Sequence, residues 1–81
     1  MSHVTPEAVK SYIENGLACS HLIVEGDGAH FFATIVSAEF ENKRAVQRHQ
    51  LVYRALGDRM REEIHALSMT TLTPAEWNAQ K

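Results

Sequence analysis

With 81 residues, 44% of them apolar and 22% charged, the chain has material for one small hydrophobic core, so residues 1–81 are read as a single domain. That balance excludes the disordered class, which is poor in apolar residues and rich in charge. No apolar run reaches the roughly 20 residues of a membrane span, Met1-Ser2-His3-Val4 lacks the basic and apolar regions of a secretion signal, and the single cysteine, Cys19, excludes an internal disulfide framework, so a cytoplasmic location is expected.

Elements follow in chain order. Thr5 as N-cap and Pro6 at the first helical position open a helix that Gly16 ends, with Val9, Tyr12 and Ile13 as its buried stripe. Leu22-Ile23-Val24 is short, β-branched and apolar, Gly26-Asp27-Gly28 supplies the positive-φ residues of a tight turn, and a second strand from about His30 to Ser37 completes a hairpin. Phe40-Glu41-Asn42-Lys43 reads as a loop. Val46, Leu51, Val52, Tyr53 and Leu56 then mark a helix stopped by Gly57. Asp58 opens a further helical turn through Met60 and Ile64, Ala66 to Leu72 reads as a third strand, and Thr73-Pro74-Ala75-Glu76 is a capping box before a last short helix anchored by Trp77.

The order α-β-β-α-α-β-α predicts an α+β fold. A long helical crossover between the second and third strands favours a parallel pair beside an antiparallel hairpin, giving one mixed three-stranded sheet with the helices on one face.

The net charge of −2 is unevenly spread. Between positions 43 and 61 there are six cations, Lys43, Arg44, Arg48, Arg54, Arg59 and Arg61, against one anion, Asp58, a net +5 that leaves −7 for the rest. Such a helical face suits a phosphate-bearing partner, an acidic protein surface, or plain solvation.

Five histidines offer the site chemistry. His49 has no serine, cysteine or carboxylate at a recognisable spacing, so a structural or interface role is read for Arg48-His49, and no set of nucleophile, base and oxyanion donors can be assembled for an enzyme. Cys19 and His21, two positions apart, could form a soft ligand pair on one side of a strand, or Cys19 could be inert packing. His30 follows the Gly26-Asp27-Gly28 turn and His65 sits where the crossover returns to the sheet. Two imidazoles brought together there would make a half-site for iron; otherwise they are two unrelated surface histidines.

Arg48-His49-Gln50-Leu51-Val52-Tyr53, Ile64-His65-Ala66-Leu67 and Leu72-Thr73-Pro74-Ala75-Glu76-Trp77 stand in an order and spacing that resembles the BolA family, from about Leu22 to Trp77. The resemblance implies a fold like that of class II KH domains, although no Gly-x-x-Gly occurs to clamp a nucleotide backbone. It also implies a small non-enzymatic adaptor that shares a [2Fe-2S] cluster with a monothiol glutaredoxin, with His65 as one ligand and His30 as the histidine or cysteine of the loop after the first strand. The cluster is not expected to bind tightly to the isolated chain, and the free protein is expected to be a monomer or a weak homodimer. The alternative implied by some relatives is a DNA-binding regulator using Lys43, Arg44, Arg48, His49 and Arg54, which the net negative charge and Gln50, in place of a frequent arginine, disfavour. Asn42 replaces a glycine common in the family, and asparagine is the non-glycine residue that best tolerates a left-handed backbone.

Overall fold

Thr5 starts the first helix as its chemistry dictates. In the computed structural model, which describes residues 4–27, 29–58 and 66–80, its Oγ1 accepts the Ala8 N–H at 3.1 Å, and Pro6 occupies a position that needs no amide partner. Helix α1 (Pro6–Gly16) buries Val9 and Ile13 completely and Tyr12 in part. Gly16 is its last residue, and Leu17 caps it in an extended conformation. Among the described glycines only Gly57 has positive φ, whereas a Cβ on Gly16 would lie 2.7 Å from both Cα and Cβ of Ala55 in the second helix. The glycine is a close-approach point between helices. Gly16→Ala is therefore expected to cost about 1–3 kcal/mol in urea denaturation, as overpacking does; a neutral result would mean that the two helices separate freely.

Strands β1 (His21–Gly26) and β2 (His30–Val36) pair antiparallel, and β3 (Ala66–Leu72) lies parallel to β2, giving the order β1-β2-β3. Alternation along each strand sorts the two faces. Leu22, Val24, Phe31, Ala33, Ile35, Leu67 and Met69 belong to one core with Val9 and Ile13 of α1 and with Val52 and Leu56 of α2 (Ala45–Leu56). The opposite face leaves Ile23 46% and Phe32 56% exposed. Helices on one face thus describes α1 and α2. The short helix α3 (Pro74–Ala79) sits at the end of the sheet, where Trp77 reaches His21, whose chain neighbour Leu22 points into the core, at 5.2 Å between ring centroids.

One buried polar residue welds the start of the β2–α2 connection. Ser37, fully buried, donates from Oγ to the Ala18 carbonyl at 2.6 Å and accepts the Glu39 N–H at 3.1 Å, while its own N–H reaches the Leu72 carbonyl at 3.0 Å. It caps a single 3-10 turn (Ala38–Phe40) that delivers Phe40, the first residue of the loop read from sequence, into the core with no exposed surface. Asn42 follows with φ 64°, the left-handed backbone expected of it. Gln47 accepts the Arg44 N–H at 2.9 Å to start α2, and Gly57, φ 60°, ends it. Val46 and Tyr53 do not join the buried stripe; they are 69% and 42% exposed. At roughly 100° per residue both fall about 100–120° round the helix from Val52, so they form a stripe of their own. The helical turn expected from Asp58 through Met60 and Ile64 lies outside the described residues beyond Asp58 itself.

Candidate functional site

The β1–β2 turn is built tightly around the backbone of His30. A Cβ on Gly26 would collide with the His30 carbonyl and come 2.7 Å from Cδ1 of Phe31, so only glycine fits. Asp27 Oδ1 accepts the N–H groups of Ala29 at 3.0 Å and His30 at 2.9 Å, and the Asp27 N–H donates to the His30 carbonyl at 3.2 Å. These bonds from His30 and then Ala29 hold the Asp27 carboxyl below the usual carboxylate range. Phe31 enters the core, which turns its neighbour His30 outward, and His30 is exposed. Across the parallel pairing its register partner is Ala66, the residue that follows His65 in the chain. His65 itself lies outside the described residues.

Cys19 and His21 stand at the other end of the sheet. His21 pairs with Val36, and the six strand steps from His30 to Val36 cover roughly 20 Å. Cys19 packs against the core and donates from Sγ to the Leu17 carbonyl at 3.3 Å. Burial pushes its thiol up to about 11, with the Glu14 and Glu39 carboxylates adding to the shift. Thiolate is the form that binds metal and attacks electrophiles. Cys19 is accordingly expected to alkylate at least tenfold more slowly at pH 7.5 in the folded protein than in urea; equal rates would show that the thiol is not shielded.

The basic residues divide by role. Lys43, Arg44 and Arg54 are exposed, and His49 is half-buried. Arg48 turns inward instead: Nε donates to the Lys43 carbonyl at 2.9 Å, Nη1 to the Thr71 carbonyl at 3.1 Å and to Glu76 Oε1 at 2.8 Å, and Cζ lies 5.9 Å from the centroid of Phe40. Glu76 Oε1 also accepts the Thr73 N–H at 2.8 Å, and Thr73 Oγ1 accepts the Glu76 N–H at 3.2 Å, so the expected capping box is present and carries a second load. The Thr73 amide and then Arg48 hold the Glu76 carboxyl below its usual range. Arg48 therefore ties α2 to the ends of β3 and α3, which removes its charge from the surface set. Arg59 and Arg61 lie outside the described residues. Sequence reading missed the grip of Asp27 on its turn, although an aspartate just ahead of a glycine in a hairpin loop is a signal for that hydrogen bonding.

The family model for BolA-like proteins matches residues 3–76. The chain belongs to the BolA family. The Haemophilus influenzae DNA-binding transcriptional regulator BolA is 49% identical to it over 55 residues, 68% of this chain and 53% of that protein. Mouse BolA-like protein 1 is 35% identical over 74 residues, 91% of this chain and 52% of that protein, so the chain spans about half the length of these BolA relatives. Among solved structures, a BolA homologue from Coxiella burnetii superposes with a TM-score of 0.85 at 49% identity, covering 93% of this chain and 97% of that one.

Within the described part of this BolA domain, no group of three or more His, Cys, Asp or Glu side chains could hold a metal ion, and no helix is long and apolar enough to cross a membrane. A metal role for His30 thus needs donors from beyond the described residues. Its exposed imidazole on a fixed turn is chemically suited to being one ligand of several, since neutral imidazole is a good ligand for iron.

Proposed function

We propose that this BolA-family protein is an adaptor that binds a monothiol glutaredoxin and contributes His30 and His65 to a shared [2Fe-2S] cluster, in iron-sulfur trafficking or iron- and stress-dependent regulation. The observation that supports this reading is the outward His30, register-paired with the residue next to His65. Two imidazoles leave a two-iron cluster short of its four ligands. The glutaredoxin, through its active-site cysteine and a bound glutathione, would complete the set. Histidine ligation of one iron raises a cluster's reduction potential relative to all-cysteine ligation and makes its retention depend on neutral histidine. The residues of this chain then act by holding, orienting and presenting donors, with no turnover of their own.

The test is anaerobic titration of the wild-type chain into cluster-loaded monothiol glutaredoxin, followed by visible circular dichroism. A new spectrum saturating at one chain per glutaredoxin is expected. An unchanged glutaredoxin spectrum would sink the adaptor reading.

A DNA-binding regulator is the second reading. It rests on the exposed Lys43, Arg44 and Arg54 of α2 and its approach, and on the name of the Haemophilus relative. Three phosphate contacts predict a salt slope of log affinity no steeper than about −3, and weak, sequence-tolerant binding. Arg44→Ala should flatten that slope by about one, whereas tight, sequence-discriminating binding at physiological salt would promote this reading above the first.

A further inference from the structure

We propose that Asp27 is a positioning residue for His30, its side chain fixing the turn that aims the imidazole outward; this rests on the reading of His30 as a cluster ligand. The Asp27 carboxylate spends one oxygen on two N–H groups, those of Ala29 at 3.0 Å and His30 at 2.9 Å, while the Asp27 amide closes on the His30 carbonyl at 3.2 Å. Both polar groups of the His30 backbone are thereby tied to one residue. Gly26 completes the cradle, because any Cβ there would strike the same His30 carbonyl. On the core side the next residue, Phe31, is fully buried, so the chain is pinned both before and after the histidine. A ligand on a hairpin turn would otherwise sample many directions, and the ordering would have to be supplied when the cluster binds. Here it is supplied by the fold. None of this requires the negative charge of Asp27, since an amide oxygen accepts the same two bonds.

Because the two bonds do not need the charge, the test compares the wild-type chain, Asp27→Ala and Asp27→Asn. Amide hydrogen exchange at Ala29 and His30, together with the His30 ring resonances, reads the positioning without any metal. Titration into cluster-loaded monothiol glutaredoxin reads its consequence. Asp27→Ala should speed exchange at the two amides by about tenfold, the loss of roughly one hydrogen bond each. It should also weaken formation of the mixed-cluster spectrum by about the same factor, with the thermal midpoint little changed. Asp27→Asn should restore both. Unchanged exchange and ring resonances in Asp27→Ala would overturn the proposal, and so would altered exchange with wild-type cluster uptake. An asparagine variant that regains amide protection but not the spectrum would overturn it too, by showing that charge matters. If wild type itself gives no mixed spectrum, the ligand reading fails and the positioning role falls with it, whereas a wild-type spectrum with an indifferent Asp27→Ala sinks the positioning role alone.

Discussion

Phe40→Ala is expected to destabilise the domain by about 3–5 kcal/mol, the usual cost of emptying a fully buried aromatic site. The ring has no exposed surface, is held in the core by a single 3-10 turn, and has the Arg48 guanidinium 5.9 Å from its centroid. Small domains have total stabilities of about 5–15 kcal/mol, so one truncation would remove a large share. Urea unfolding measures it, and Phe40→Leu should recover more than half of the loss by refilling most of the volume. A cost below about 1 kcal/mol for the alanine would show that the turn swings away and the core closes behind it.

The second large effect concerns the proposed ligands. His30→Ala and His65→Ala are each expected to leave a folded protein that has lost the mixed-cluster absorption and circular dichroism with glutaredoxin. Cys19→Ser should retain both, because its thiol is pushed up to about 11 and packs against the core roughly 20 Å from the His30 end of the sheet. His65 should be the more severe loss, since the family resemblance places a ligand there whichever residue the loop offers. The reverse pattern, loss with Cys19→Ser and retention with His30→Ala, would move the site to the Cys19 and His21 end. That reversal would have to overcome both the raised thiol and the contact of His21 with Trp77.

Residues whose conformation is set by near neighbours were legible in the sequence. Thr5 with Pro6, Thr73 with Glu76, Gly57 and Asn42 each act within about one helical turn, and each stands where its local chemistry placed it. The three strands and the mixed pairing were readable because alternation and a long crossover leave few topologies. What was not readable depends on distant partners. Phe40 is one apolar residue in a polar stretch, with no periodicity to reveal it, and its burial goes with a turn that Ser37 caps while bonding to Ala18 and Leu72. Val46 and Tyr53 satisfy an apolar pattern yet face out, because the sheet approaches α2 from another side. For Arg48 the sequence allowed a structural role as well as a place in the surface charge set, and only its partners Thr71 and Glu76, 23 and 28 residues away, decide for the first. Of the candidate site, the place of His30 directly after the β1–β2 turn was legible, while its register with Ala66 is a tertiary fact.

The sheet also acts as a partition. His30 points to the side that α1 and α2 leave open, whereas Arg44 and Arg54 belong to the helical layer behind. The exposed Ile23, His30 and Phe32 of the open face are thus separated by the thickness of the sheet from the core-packed face of α2. Substitutions of exposed side chains on one side, such as Ile23 or Phe32, therefore need not disturb exposed side chains on the other, such as Arg54.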